Sequence, residues 1–315
     1  MPPRFSRLAA VLALATCLLA PTAQADVTAD LILALQYWRT HRLNTLHPLN
    51  ARLVGDAEPS RRFRLHLDVD KEQSMEGELY EAYGEWVSGP QSVRLGRFQT
   101  PFGIYNRSEL YYVGLIYDPL IRNYPYLGPH LEDSENGVEY VRSLGPWQIE
   151  AAWFGHGDGA GSVVPRGAQG SIRLQRYAGP WILGLSADRT SLPLVYHGGG
   201  TTAHFVGLDF RFSRPTLILR GELAAGSVPG GSPRGFYLDA LFHPVSLPRI
   251  TFVGRTEAVR GQPPGALRRG GLYARETIGF KWDAARGVIV VVNQLFEPAH
   301  VRSGLQGTTL YVWYT

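Results

Sequence analysis

Charged side chains recur at every second position in several short segments of the chain. In residues 62–70 the even positions carry charged or ionisable groups, and the odd positions carry Phe, Leu, Leu and Val. Residues 205–212 and 277–282 alternate in the same way. A β-strand turns successive side chains to opposite faces, so each segment would present one charged face and one apolar face. A charged face of this kind could form ion pairs or bind polar solutes.

The charged face of these segments supplies a set of candidate inner-wall residues for a closed sheet. Positive and negative members are close to balanced, which argues against strong anion selectivity. Buried charges need partners, so two interpretations are open: cross-strand ion pairs that line a wall, or opposed acidic and basic patches that orient polar solutes. The pore-lining candidates are Arg64, Asp68, Glu81, Arg94, Glu150, Arg173, Asp209, Arg211, Arg220, Glu222, Arg255, Glu257, Arg275 and Lys281.

Catalytic and metal chemistry receive little support from residue spacing. Ser and His occur, but no spacing joins a nucleophile, a base and an orienting group. Residues 133–137 and 157–159 could hold calcium, yet neither has the spacing of a full EF-hand loop. No glycine-rich phosphate loop or zinc spacing is present. We therefore predict no enzymatic activity, no metal and no cofactor. A hydrolase barrel, a structural or adhesive barrel, and a soluble secreted β-protein remain alternatives.

The N-terminus predicts a cleaved export signal over residues 1–25. A basic start is followed by the apolar stretch Leu8–Ala20 and by Ala23-Gln24-Ala25, small residues at the positions that a signal peptidase reads. Cys17, the only cysteine, lies in this segment, so the mature chain has no disulfide. Two arginines leave with it, and the formal charge falls from +4 to about +2. With no basic run, the sequence predicts no nucleic-acid partner.

Membrane crossing, if it occurs, must use strands. The longest aliphatic run is Val288–Val292, far shorter than a membrane helix. Short Pro- or Gly-containing links alternate with longer ones, as in up-and-down outer-membrane barrels. We place strands at 30–39, 48–54, 62–70, 78–87, 92–98, 137–142, 147–154, 170–177, 181–189, 202–212, 216–225, 235–242, 250–259, 272–282, 288–296 and 308–315.

This count predicts an all-β fold, a transmembrane antiparallel up-and-down barrel of about 16 strands over residues 26–315. The strand at 48–54 is included mainly because an even number is required when both termini face the periplasm, and 14 strands stay open. A barrel of 16 strands is wide enough to leave an aqueous channel. Tryptophans near the strand ends predict aromatic girdles at the membrane interfaces. They are Trp86, Trp147, Trp181, Trp282 and Trp313.

Residues 99–136 interrupt the alternation with glycine, proline and many tyrosines. A link of this length can fold inward and narrow a wide barrel, or it can stay outside as a surface loop, and the sequence leaves both open. If it folds inward, its polar side chains are candidates for a constriction. These candidates are Arg107, Tyr112, Arg122, His130, Glu132 and Asp133.

Residues 93–103, Val-Arg-Leu-Gly-Arg-Phe-Gln-Thr-Pro-Phe-Gly, resemble the strand-and-loop signature of the phosphate-selective porin O/P family. The resemblance implies a 16-stranded homotrimeric channel whose long third loop enters the barrel. The family's lysine ladder for phosphate has no counterpart, because Lys71 and Lys281 are the only lysines. We therefore predict a porin-like channel for passive diffusion of small polar or charged solutes. Its predicted location is the outer membrane of a Gram-negative bacterium after Sec export, with membrane lipid as its surroundings.

Overall fold

The computed structural model describes residues 26–39, 44–71, 78–104, 114–115, 118–122, 134–154, 169–191, 202–228, 231–261, 272–297 and 306–314. In this part of the chain, sixteen antiparallel strands each pair with their neighbours in sequence. The first strand also pairs with the last, which closes the sheet into a barrel. The predicted fold class is therefore confirmed, with 16 strands rather than 14. The predicted export signal, residues 1–25, lies outside the described residues.

The strands run up and down around the barrel. They are β1 Asp26–Arg39, β2 Asn44–Ser60, β3 Phe63–Lys71, β4 Glu78–Ser88, β5 Gln91–Gln99, β6 Ser134–Leu144, β7 Trp147–Phe154, β8 Gln169–Ala178, β9 Trp181–Ser191, β10 Thr202–Arg214, β11 Leu217–Ser227, β12 Arg234–Phe242, β13 Ile250–Arg260, β14 Leu272–Ala285, β15 Val288–Phe296 and β16 Gln306–Tyr314.

Strand β2 is longer than the segment 48–54 that the sequence predicts. Its pairing with β1 shifts register between Ala34 and Gln36, next to Pro48 and Leu49 on β2. Its pairing with β3 shifts near Pro59. Proline has no N–H for the ladder and is found at bulges. These two register shifts interrupt the alternation of faces along β2, so no single period of two runs through the strand.

Links at one rim are two-residue turns apart from the seven-residue link 243–249, and links at the other rim have four residues or more. Two-residue turns occupy positions 61–62, 89–90, 145–146, 179–180, 215–216 and 286–287 of the described chain, all at the same rim. Several place glycine at a positive φ, which side-chain-bearing residues rarely adopt; Gly89 has φ 59° and Gly145 has φ 61°. Such sorting is typical of outer-membrane barrels, in which short turns face the periplasm.

The two faces of the barrel have opposite character. Large apolar side chains point outward and are exposed, such as Leu95 at 65% and Trp153 at 68%. Charged side chains point inward and are buried, such as Glu139 and Asp239 at 0%. An apolar outer band around a polar interior is the arrangement of barrels that sit in lipid. No helix in the described chain is long and apolar enough to span a membrane.

Aromatic side chains gather at the short-turn rim of the outer face. Trp86 is the cross-strand partner of Phe63, and Trp181 is the partner of Phe212 with ring centroids 4.7 Å apart. Trp147 and Trp282 stand at equivalent strand ends and are about 40% exposed. The side chain of Trp313 lies outside the described residues.

Candidate functional site

The described residues of the segment that follows β5 pack against the inner wall of β10 to β14. Phe102 is fully buried there, and the ends of the segment contribute Leu120 and Ile121 to the same cluster. The wall supplies small and aromatic residues at positions that face inward. The complete cluster is Phe102, Leu120, Ile121, Ala203, Phe205, Ala224, Val228, Tyr237 and Val259, with Tyr273 packed beside it. An apolar patch on an otherwise charged inner face therefore anchors this segment.

Wall serines fix the start of the segment through its backbone. The backbone N–H of Gly103 donates to Ser186 Oγ over 2.9 Å. The Ser171 hydroxyl donates to the carbonyl oxygen of Pro101 over 3.1 Å. Both serines point inward from β8 and β9 and are buried. Backbone groups inside a barrel need such partners, because an unpaired buried polar group costs free energy.

Three further wall residues bond the backbone of the segment. In each bond a side chain of the wall pairs with a backbone group of the segment, and the two residues are far apart in sequence. The backbone group lies outside the strand ladder. The bonds are Leu120 N to Glu257 Oε2 at 2.5 Å, Arg275 Nη2 to the carbonyl of Asp118 at 2.5 Å, and Asn293 Nδ2 to the carbonyl of Gly114 at 3.0 Å. The described parts of residues 100–122 thus contact the wall from β8 round to β15.

A buried ion pair locks the far end of the segment to the wall, and we call it the Arg122–Glu222 latch. Arg122 Nη2 lies 2.5 Å from Glu222 Oε1, and both side chains are fully buried. The same nitrogen donates to the carbonyl of Phe102 over 2.8 Å, and the guanidinium lies 5.0 Å from the centre of the Phe102 ring. Arg122 therefore ties both ends of the described segment to β11.

The absence of a side chain at Gly103 leaves room for the latch. Its φ is 63°, and an added Cβ would overlap both the Arg122 guanidinium and the Glu222 carboxylate. Only glycine satisfies both conditions without strain. The Pro-Phe-Gly at the end of the sequence motif 93–103 thus supplies the apolar anchor and the space beside the ion pair.

Ion pairs continue around the inner wall from β3 to β6. Arg94 lies 3.2 Å from Glu85 and 3.0 Å from Glu139. Arg64 lies 3.9 Å from Glu85 and 2.9 Å from Glu58, with its own side chain 55% exposed. Arg64, Glu85, Arg94 and Glu139 are successive cross-strand partners, which places them in one row across four strands.

A second group of ion pairs lines β8 to β14. Arg220 Nε lies 2.9 Å from Asp239, and Arg255 Nε lies 2.6 Å from the same carboxylate, which we call the Asp239 triad. Two more pairs stand beside it. They are Arg173 with Asp209 at 2.7 Å and Arg275 with Glu257 at 2.5 Å. All of these side chains are buried.

His66, Asp68 and Glu81 form a compact group on the inner face of β3 and β4. Their ligand-type atoms lie within 4.8 Å of one another, a spacing that could hold a metal ion. His66 Nδ1 is 2.7 Å from Asp56 Oδ1, and its Nε2 is 3.5 Å from Glu81. The hydrogen bond of His66 to Asp56 and its approach to Glu81 account for this arrangement without a bound ion. The prediction that the chain holds no metal stays a prediction.

A polar cavity of about 240 Å³ lies between the start of the segment and the wall of β5 to β10. It is lined by Arg94, Ile104, Val141, Gln148, Glu150, Arg173, Gln175, Tyr177, Ile182 and Arg211. Arg211 differs from Arg94 and Arg173, which both pair with carboxylates. Its described hydrogen bond goes to Ser213 Oγ at 3.0 Å, and no described carboxylate pairs with it. Its cross-strand partner on β11 is another arginine, Arg220.

The structure places the described pore-lining candidates on the inner face. Asp68, Glu150 and most of the arginines are buried, whereas Glu81, Arg211 and Lys281 are partly exposed. Lys281 Nζ lies 3.7 Å from Asp283 near the short-turn rim. Of the constriction candidates, only Arg122 is described. Arg107, Tyr112, His130, Glu132 and Asp133 lie outside the described residues.

Sequence reasoning missed the residues that hold the segment in place. Ser171, Ser186 and Asn293 bond its backbone, but isolated polar residues in strands carry no distinctive sequence signal. Phe205 and Tyr237 were visible only as alternating strand residues. The one available hint of their role was that these aromatic side chains lie on the charged face of their strands.

Comparison with solved structures identifies the fold. OmpF of Salmonella typhi in complex with daunomycin is similar over 92% of this chain and 97% of its own, with a TM-score of 0.70 and 9% identity. An anion-selective porin from Comamonas acidovorans covers 92% and 99%, with a TM-score of 0.69 and 12% identity. The outer-membrane channel DcaP of Acinetobacter baumannii covers 92% and 97%, with a TM-score of 0.65 and 10% identity.

No family model and no curated protein sequence matches the chain. The likeness is therefore one of fold at very low identity, and it defines a class: the chain has the fold of outer-membrane porins. The narrower resemblance of residues 93–103 to the phosphate-selective porin O/P family stays a prediction.

Proposed function

We propose that this protein is an outer-membrane channel for passive diffusion of small polar or charged solutes. The observation that carries the proposal is a charged inner face in a closed 16-stranded barrel, combined with an apolar outer face. Barrels of this size leave an aqueous passage when side chains alone line them. The proposal includes export by a Sec signal, residence in a Gram-negative outer membrane, and assembly as a homotrimer.

The contacts of residues 100–122 support a constriction inside the barrel. The described residues of the segment, 100–104, 114–115 and 118–122, contact the wall from β8 to β15, and the polar cavity of about 240 Å³ lies between Ile104 and the wall of β5 to β10. Charges of both signs line this wall, so solutes would meet adjacent acidic and basic groups. We propose that the channel has weak ion selectivity and no phosphate-specific ladder, and that it catalyses no reaction.

Planar-bilayer recording tests the proposal directly. Refolded protein should insert and give discrete conductance steps, and its gel mobility in detergent should shift on heating, as expected for a closed barrel. A correctly folded barrel that never conducts in the bilayer would contradict the channel. Turnover of a lipid or ester by such a preparation would favour the hydrolase alternative.

Arg211→Glu should shift ion selectivity toward cations. Arg211 lines the polar cavity and has no described carboxylate partner, so its charge acts on solutes with little local compensation. Charge reversal at this position changes the local charge by two units. The measurement is the reversal potential in a salt gradient, compared with the wild type.

Arg214→Glu is the matched control for this change. Arg214 stands on the same strand, but it is exposed on the outer face beside Phe212. The same change of charge outside the lumen should leave the reversal potential unaltered. Equal shifts for the two variants would contradict a lumen role for Arg211.

A further inference from the structure

The outer face of the barrel carries an apolar groove near the long-link rim. Its volume is about 660 Å³, and it runs across β9 to β14. Exposed Val206, Leu223 and Leu272 form its sides, each more than half exposed. Outward-facing Ala225 and Ala258 belong to its small-residue lining. Small residues between large ones give the surface a depression that can accept an extended hydrocarbon chain.

Two arginines stand at the end of this groove. Arg234 begins β12 and Arg260 ends β13, and they are direct cross-strand partners that both line the groove. Both are exposed, and neither has a carboxylate partner in the described part of the chain. Like charges directly opposite on a sheet destabilise the pair. An anion held between them would remove that penalty.

The surroundings of the two arginines are basic as well. Arg189 and His204 are cross-strand partners on β9 and β10, and they are exposed at the same rim. Links 192–201, 229–230 and 262–271 contain no Asp or Glu in their sequence.

Glu276 is an exposed acid on the outer side of β14. It lies four residues along the strand from Leu272, the cross-strand partner of Arg260. That separation is about 13 Å at the rise of a strand, too far for direct pairing.

We propose that this groove binds a phosphorylated lipid of the outer leaflet. Acyl chains would lie on the apolar surface between β9 and β14, and Arg234 and Arg260 would hold a headgroup phosphate. Arginine forms paired, charge-assisted hydrogen bonds with phosphate oxygens, and the rim position places both guanidinium groups at headgroup level. The inference rests on the proposed outer-membrane location, but it does not require the channel to conduct.

A lipid fits this surface better than a second copy of the chain. The face is an exposed hydrocarbon surface that ends in uncompensated positive charge, which matches the layered chemistry of an anionic lipid. A protein partner would have to present acidic groups level with the arginines and apolar groups below them.

Lipid binding to the purified, delipidated barrel in detergent tests the proposal. The probes are bisphosphorylated lipid A, the same lipid without phosphates, and inorganic phosphate. Wild-type protein should bind the phosphorylated lipid measurably more tightly than the dephosphorylated one, and free phosphate should not compete at equal concentration. The double variant Arg234→Gln/Arg260→Gln should weaken binding about 30-fold, since each arginine near an anionic lipid surface contributes about fivefold.

Two further variants separate headgroup recognition from general effects. Arg176→Gln/Arg214→Gln removes two exposed arginines from the short-turn rim and should leave lipid affinity unchanged. Ala258→Phe should fill the groove and weaken binding while both rim arginines remain.

Several outcomes would overturn the lipid site. Equal losses for the two double arginine variants would do so. Wild-type affinity that is independent of the lipid phosphates would also do so, as would a change of oligomeric state in Arg234→Gln/Arg260→Gln with lipid affinity unchanged. Conductance is recorded from the same preparations. A barrel that conducts but fails the lipid test contradicts the lipid site alone, whereas a barrel that does not conduct contradicts the channel.

Discussion

Replacing Arg122 by alanine is expected to free residues 118–122 from the barrel wall and to raise single-channel conductance. The latch pairs Arg122 with Glu222 where neither side chain reaches solvent. Arg122 also bonds the carbonyl of Phe102, so its loss weakens both ends of the segment. Removing one partner of a buried ion pair costs about 3–5 kcal/mol, because the other charge stays buried without compensation. Conductance in a planar bilayer and the urea midpoint of unfolding measure the two effects.

The double variant Arg122→Met/Glu222→Met separates the charge from the packing. Replacing a whole buried pair with apolar residues of similar size is often neutral or stabilising. The double variant should therefore recover most of the stability that Arg122→Ala loses, and its conductance should return toward wild type. If Arg122→Ala conducts like the wild type and unfolds at the same urea concentration, the latch does not hold the segment.

Strand identity was largely predictable from the sequence, because lipid and lumen impose opposite requirements on successive residues. In β3 and β10 this rule fixes the face of every side chain, since a shift by one residue would place charges in lipid. Short turns with glycine or proline then separated the strands. The requirement for an even number of strands correctly predicted β2, although register shifts beside Pro48 and near Pro59 interrupt its alternation.

The site was less predictable because its contacts join residues far apart in sequence. Ser186 bonds Gly103 from 83 positions away, and Asn293 bonds Gly114 from 179 positions away. No local pattern encodes such pairs. Alternation could place Glu222 and Glu257 on the inner face, but it could not indicate that each would pair with the segment after β5.

Asp239→Asn is expected to destabilise the barrel by about 3–5 kcal/mol, the range found when one member of a buried ion pair is removed. Asp239 is fully buried and pairs with both Arg220 and Arg255. Arg211 is the cross-strand partner of Arg220. Without the Asp239 carboxylate, Arg211, Arg220 and Arg255 would therefore stand in one cross-strand row with no acidic residue between them. Urea unfolding of the refolded protein measures the loss of stability. Channels that do form should show a reversal potential shifted toward anions, since the lumen gains one positive charge.

Asp283→Asn provides the comparison, because it removes an equivalent acidic group from a partly exposed pair. The Asp283 side chain is 48% exposed and lies 3.7 Å from Lys281 at the short-turn rim. Exposed pairs contribute about 0–1 kcal/mol, so this variant should unfold near the wild-type urea concentration. Burial, rather than the number of ion pairs, then determines which inner charges support the barrel. Equal destabilisation by Asp239→Asn and Asp283→Asn would contradict that conclusion, and an unchanged reversal potential in Asp239→Asn would place the triad outside the conducting path.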